Sequence, residues 1–534
     1  MEELKGEIKE TVSGNEIEKR KKNLNHLLSG WIKDNYDKIF IALLIVAFII
    51  RIIIFIKTMN QPLWWDEADY LSAAKKWGLG ANVGDIWYYR RGFLWPAIGA
   101  VFFFSGLGEI GMRFLVVLLS TGTVALSYFV ISKMFDKKLA ILVSTGMVFS
   151  WISLFFTGRL LTDIPAAFFL LLSLLFFWKG YVLKEGNKFL YLFGVFYACS
   201  LLVRFQSAIF AFPFIIFIFT REKFKFLKNK HLWITAGLAF AILLPFFILY
   251  WMHYGNILTD ILAHYFGVSG VSGTAPVERT ASTLFDYFKN LPYMLTTSIF
   301  VLFIIGIFVF FQDMFLGMDK LFKNEEVQKK FFILLWIIIP FLVLGYITIY
   351  VEQRYIISIL PFLFLIAVYP LLKLENSLNK HFLKISRKTG YILAISFFLF
   401  LLLIPLGNVT SNYSWSNSLT DNKLTSYLEI QQAGLWIKAN SNSSDIVVTP
   451  SRPQIVYYAE RSVQSPDPDI FSNESYFREI VEEIKPRYMV LSAYEQSPDW
   501  VYLYPQNHTD FLTPVQAYTQ NGQTTVVIYE FNYS

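Results

Sequence analysis

Phe93-Leu-Trp-Pro-Ala-Ile-Gly-Ala-Val-Phe-Phe-Phe-Ser-Gly-Leu-Gly108 decides how this chain is threaded, because counting it as a membrane crossing reverses the side of every loop that follows. As a helix rising 1.5 Å per residue it covers about 24 Å, short of a hydrocarbon core about 30 Å thick. Pro96 and Gly99 also interrupt it. It is therefore expected to lie along the interface rather than to cross.

Around it lie apolar runs long enough to span: 39–56, 114–132, 139–157, 164–178, 189–203, 205–220, 232–251, 291–311, 331–350, 355–372 and 391–407. Eleven crossings put segments 1–38, 133–138, 179–188, 221–231, 312–330 and 373–390 inside. Those hold 28 Lys and Arg, against 11 in the outer loops of the same region, the bias expected of cytoplasmic loops. The first 38 residues are polar and Lys-rich and precede an apolar stretch without a small-residue cleavage site, so an uncleaved anchor with an inner N-terminus is expected.

Composition agrees with a bilayer as the main solvent. Of 534 residues 55% are hydrophobic, 18% aromatic and 16% charged, with mean hydropathy +0.46. The net charge of +7 is a topology signal rather than a sign of nucleic acid, since the cations sit between apolar runs. A single cysteine, Cys199, excludes an intrachain disulfide and a cysteine metal cluster. The fold class is thus a multi-pass α-helical membrane protein of the cell membrane: an inner segment 1–38, a membrane module 39–407 and an outer domain 408–534.

After Gly407 the chain turns polar. An Asn- and Ser-rich linker (408–422) is expected, then helices at 424–439 and 475–484 and strands at 445–449, 488–492, 515–518 and 524–531, with Asn521-Gly522 as a hairpin turn. The outcome is a small soluble α/β domain. Asn408, Asn412, Asn442, Asn473, Asn507 and Asn532 each begin a glycosylation sequon and none precedes residue 408, which agrees with an outer tail.

Ionisable residues near membrane depth are costly and mark function by default. Pro62-Leu-Trp-Trp-Asp66-Glu67-Ala-Asp69-Tyr70 places Asp66, Asp69, Tyr70 and Ala73 along one helical stripe; the bland alternative is an interfacial helix anchored by its tryptophans. Arg90 and Arg91, just ahead of the short apolar helix, run against the inner bias, and a guanidinium fork suits a lipid phosphate; headgroup snorkelling is the alternative. Further outer turns carry Arg159 and Asp163, Arg204, and Glu352-Gln353-Arg354-Tyr355, while His253 and His264 fall in loop 252–290. No metalloprotease spacing, Gly-rich phosphate loop or Ser-His-Asp order is legible.

In the order and sidedness of these residues the sequence resembles the GT-C glycosyltransferases that use polyprenyl-phosphate sugars, closest to the protein O-mannosyltransferase and lipid A aminoarabinose transferase branch. The resemblance spans about 35–375 and rests on Arg51, Asp66-Glu67-x-x-Tyr70, Arg113, Arg159-x-x-x-Asp163 and Arg354-Tyr355 ahead of Pro361. It implies Asp66 as catalytic carboxylate, Glu67 and Asp163 as further acidic site residues, donor-phosphate contacts from Arg90 or Arg91, Arg204, Arg354 and Tyr355, and supporting roles for Tyr70, Arg159 and His264. Relatives carry a Lys before Pro where this chain has Arg91-Gly92. A polyprenyl or dolichyl phosphate sugar is the implied donor and a glycan, protein or lipid the acceptor, with membrane lipids and no nucleic acid as other partners. Either a divalent ion, Mg or Mn, is shared by Asp66, Asp163 and the phosphate, or the arginines make one unnecessary. The rivals are a lipid-linked-sugar transporter or flippase, whose charges belong at the midplane, and an oligosaccharyltransferase, whose Trp-Trp-Asp-Tyr-Gly signature the tail lacks.

Overall fold

The computed structural model describes residues 35–83, 91–255, 283–348, 350–381, 387–463 and 470–533. Among these, seven helices are long and apolar enough to cross a membrane: Tyr36–Thr58, Gly108–Met134, Asp163–Val182, Phe205–Lys228, Lys230–His253, Thr297–Leu316 and Glu325–Ile347. An eighth is a broken pair, Lys137–Phe149 and Trp151–Thr157, bent by 50°. Three more of the expected spans are the shorter apolar helices Asn187–Val203, Leu360–Leu374 and Gly390–Leu403. The decisive stretch forms Leu94–Phe104, of 11 residues, which rises only about 16 Å.

Gly99, an interruption on sequence grounds, is where this short helix meets Trp65–Leu79. A Cβ there would stand 2.7 Å from the Ala74 Cβ, so only glycine permits the approach. Gly92, just ahead of this helix, allows a second close approach. Its Cβ would meet the Val203 and Leu202 carbonyl oxygens at 2.3 and 2.4 Å, and this contact lays Arg91 beside the turn that carries Arg204.

The broken span explains Arg51. A helix that stops at Phe149 leaves carbonyls without intrahelical donors, in apolar surroundings that supply no water. The fully buried Arg51 donates to the Met147 and Val148 oxygens at 3.3 and 3.5 Å, to Ser153 Oγ at 3.1 Å and to Ser120 Oγ at 2.7 Å. One guanidinium thus knits three helices behind the Arg159 turn.

The C-terminal unit is a five-stranded sheet of order β2-β1-β3-β5-β4, with β1 Ile446–Val448, β2 Ser462–Val463, β3 Tyr488–Ser492, β4 Leu512–Gln520 and β5 Gln523–Phe531. β1 is parallel to β2 and β3, while β5 is antiparallel to β3 and β4. Asn521 and Gly522 both have positive φ, 52° and 81°, as a two-residue hairpin requires. Helices Arg452–Ala459 and Asp499–Asn507 and strand β2 were not legible in the sequence.

Two expectations are corrected. The linker 408–422 is mostly the helix Asn412–Lys423, capped by Ser411. Asn412, expected as a glycan acceptor, is fully buried: its amide donates to Leu295 O and Thr296 Oγ1, both at 3.0 Å, and its oxygen accepts from Trp151 N. It anchors the tail to two helix ends of the membrane module, where no glycosylating enzyme can reach it. The other five sequon asparagines are exposed.

Replacing Arg51 by Met strands the Met147 and Val148 carbonyls and Ser153 Oγ together. Since a hydrogen bond to a charged group contributes about 1.5–3 kcal/mol, Arg51→Met is expected to lower thermal stability in detergent by about 3 kcal/mol or more, read from unfolding of the purified protein.

Candidate active site

Glu67 builds the site's floor. On the first turn of helix Trp65–Leu79 its side chain accepts from the Trp64 amide at 2.7 Å, closing that turn. It also accepts from Arg159 Nη2 at 2.5 Å and the Leu160 amide at 2.7 Å. Neither partner of the Glu67–Arg159 pair is exposed beyond 1%, and the Arg159 guanidinium also lies 3.8 Å from the Trp64 ring centre. The pair bolts the 62–67 turn to the 158–163 turn.

One residue earlier, Asp66 faces the opposite way, into a cluster of guanidinium groups. Its Oδ1 accepts from Arg91 Nη2 at 2.9 Å and its Oδ2 from Arg354 Nη2 at 3.1 Å. Arg91 also pairs with Asp69 at 2.9 Å and stacks on Tyr70, 5.0 Å from its ring centre. Arg354 Nε lies 3.3 Å from Glu352 and 3.9 Å from Asp163. Asp163 stands 3.0 Å from Arg204 Nη1, which donates to Thr162 Oγ1 at 2.9 Å. Tyr355 supports both cations, 4.4 Å from Arg204 and 5.5 Å from Arg354.

Burial pushes the Asp66 carboxyl up, but Arg91, Arg354 and Arg204 outweigh it and hold the group well below the usual carboxylate range. The stability that its ionised form contributes is therefore present above that range and lost only in strong acid. Asp69 goes the other way: burial raises it, and its one shared guanidinium on Arg91 does not compensate, with Asp66 adding repulsion. Asp69, passed over as a site residue, thus belongs to the cluster; the i, i+3 spacing from Asp66 was the signal.

Arg354 stands between two cavities. The first, of about 30 Å³, is lined by Asp163, Arg204, Arg354 and Tyr355 above an apolar floor that includes Leu170 and Phe210. Neither Asp163 oxygen has an aligned donor among the described residues, and Arg354 Nε has no aligned acceptor. Buried polar groups are rarely left so, which marks them as poised for a ligand. The second cavity, of about 370 Å³, opens on the other side, at Trp64, Trp65 and Asp66. Glu67 lines neither.

The described residues contain no group of three or more His, Cys, Asp or Glu able to hold a metal. Asp66 and Asp163 do not fit a shared divalent ion either: the Arg354 guanidinium already reaches toward both. Of the expected site residues, Asp66, Arg91, Asp163, Arg204, Arg354, Tyr355 and Tyr70 converge, and Glu67 and Arg159 sit beneath them. Arg90 and His264 lie outside the described residues.

Residues 78–259 match the family model described as dolichyl-phosphate-mannose-protein mannosyltransferase. The whole fold matches that of ArnT from Cupriavidus metallidurans bound to undecaprenyl phosphate, with TM-score 0.62 at 12% identity over 94% of this chain and 98% of that one. The chain shares the ArnT fold. Its fold is also similar to the Archaeoglobus fulgidus oligosaccharyltransferase tethered with an acceptor peptide, with TM-score 0.59 at 14% identity over 94% of this chain and 75% of that one. The same Archaeoglobus enzyme, AglB, in complex with an inhibitory peptide and a dolichol-phosphate gives TM-score 0.56 at 13% identity and the same coverage. No curated protein sequence matches the chain.

The two neighbouring carboxylates are expected to fail differently. Glu67→Gln leaves Arg159 buried without its counter-charge, a loss of about 3–5 kcal/mol, visible as poor folding or a lowered melting temperature. Asp66→Asn leaves Arg91 on Asp69 and Arg354 on Glu352 and Asp163, so its melting temperature is expected to stay near that of the parent.

Proposed function

We propose that the chain moves a sugar from a polyprenyl-phosphate-linked donor to an acceptor hydroxyl at the outer face of the membrane, with Asp66 as base. The observation that carries the proposal is Asp66 held between Arg91 and Arg354 beside a cavity where Asp163 and Arg354 Nε form ion pairs without an aligned hydrogen bond. The charge bias of the loops and the five exposed sequons support the outer location.

The donor's phosphate seats on Arg204, Arg354 and Arg91, with Tyr355 behind them and the prenyl chain toward the apolar floor of the smaller cavity. Three guanidinium groups suit a phosphate that gains charge as it leaves. Paired with both arginines, Asp66 is a poor base, because both its oxygens are engaged. A phosphate that draws Arg354 and Arg91 toward itself weakens those bonds and raises the carboxylate's basicity just where the sugar now sits. Donor binding thereby arms the base.

Asp66 then accepts the proton of the acceptor hydroxyl. The acceptor oxygen bonds to the anomeric carbon as the bond from that carbon to the phosphate oxygen breaks, and polyprenyl phosphate departs with the electron pair on its oxygen, its added charge met by the arginines. Attack opposite the leaving group inverts the anomeric centre. Glu67 and Arg159 hold the geometry without touching substrate.

Membranes carrying the chain and a radiolabelled dolichyl-phosphate sugar test this directly. Asp66→Asn is expected to cut transfer about 10²–10⁴-fold, the usual contribution of a positioned base, with expression intact; normal turnover would remove Asp66 from the chemistry. Arg354→Ala is expected to weaken dolichyl phosphate binding at least tenfold while the protein still folds. A product whose anomeric configuration matches that of the donor would contradict one-step displacement.

A further inference from the structure

The larger cavity has a wall that the donor does not need. Opposite Trp64, Trp65 and Asp66 it is closed by Lys423, Ser426 and Tyr427, where the C-terminal domain begins. This wall is fixed to the catalytic turn at its root. Gln61 Nε2 donates to the Lys423 carbonyl at 2.6 Å, Lys57 pairs with Asp421 at 3.0 Å, and the preceding helix is anchored by the buried Asn412.

Tyr427 marks the wall as more than a connection. It holds φ +67° and ψ 20° just before helix Leu428–Asn440, a left-handed conformation that glycine adopts freely and a bulky residue adopts at a cost of about 1–3 kcal/mol. Strain of this kind persists where a side chain is required. The Tyr427 side chain lines the cavity, and its ring is backed by Tyr494 at 5.0 Å, whose hydroxyl donates to Glu429 at 2.5 Å.

The walls also say what kind of molecule fits. Aromatic side chains from both domains, Trp65 (39% exposed) and Tyr427 among them, offer faces for the C–H side of a pyranose, while Lys423, Glu352 and Ser426 offer donors and acceptors for hydroxyls. A polypeptide acceptor held as an added strand needs free backbone groups to pair with. Here the backbone is spent on turns: Leu424, Ser426 and Leu428 amides donate to Asp421, Lys423 and Thr425 carbonyls, and Gln431 donates to Tyr427. The volume of about 370 Å³ lies at the small end of ligand pockets, which run about 300–1,000 Å³.

We propose that this cavity is the acceptor site, that it takes the hydroxyl-rich end of a saccharide, and that Trp65, Lys423 and Tyr427 determine acceptor choice from opposite walls. The proposal rests on the lipid-phosphate donor reading above and adds the acceptor class to it. It places the C-terminal domain in substrate selection, with Arg354 as the partition between acceptor and donor phosphate.

The test uses the full-length protein in detergent, saturated with dolichyl phosphate and applied to a panel of immobilised oligosaccharides and of Ser/Thr-containing peptides. Binding to oligosaccharides is expected, at least tenfold weaker in Tyr427→Gly and in Trp65→Ala, with dolichyl phosphate affinity unchanged in both. Tyr427→Gly relieves backbone strain, so a melting temperature near the parent's separates lost recognition from unfolding; Trp65→Ala supplies a second variant on the other wall. Preference for peptides, no oligosaccharide binding, or oligosaccharide binding indifferent to both variants overturns the acceptor assignment while leaving the donor reading intact. Failure of the parent protein to bind dolichyl phosphate overturns the donor reading, and the acceptor assignment falls with it.

Discussion

Guanidinium groups and carboxylates withdrawn from water at the edge of a bilayer must neutralise one another, and that constraint organises this protein. Each charge removed from water without a partner costs several kcal/mol. Asp66 is therefore met on both oxygens by arginines from two distant parts of the chain, Arg91 and Arg354, and Asp163 is approached by Arg204 and Arg354. The pairing holds the cluster together and also keeps Asp66 a weak base. A phosphate is the ligand that can loosen it, because it competes for the same cations.

The rest of the fold serves that cluster. Arg51 repairs the break that lets one span bend behind the Arg159 turn, and the Glu67–Arg159 pair joins that turn to the one carrying Asp66. The C-terminal domain grips the same region through neutral and charged contacts: Tyr458 accepts from the Leu63 amide at 2.9 Å, Lys75 binds Glu460 at 2.9 Å, and Tyr457 donates to Glu109 at 2.9 Å. A domain held at so many points around the 62–67 turn forms part of the walls of the larger cavity.

Much of this was legible because bilayer physics writes strongly into sequence. The apolar runs, the short stretch 93–108 and the acidic residues 66, 67 and 163 stand out against a lipid background where any charge needs a reason. What escaped depends on which way side chains turn. Glu67 and Asp66 are neighbours with opposite fates, one fully buried in the floor and one aimed at the cations, and adjacency in sequence carries no sign of it. Gly99 read as a break, yet it is a contact point, and so is Gly92, since approach between segments 25 and 110 residues apart leaves no local pattern. Asn412 matched a sequon whose surroundings forbid its use. The helix Asn412–Lys423 escaped because only Tyr413, Trp415 and Leu419 pack on the core from an otherwise polar sequence.

The central claim is that a lipid phosphate takes arginines from Asp66 and so makes it a base. An infrared titration of the Asp66 carboxylate band, isolated as the difference between the parent protein and Asp66→Asn, reads this directly when run with and without dolichyl phosphate. The account predicts that the bound phosphate raises the pH at which Asp66 protonates; a titration that is unchanged or moves to lower pH would contradict it.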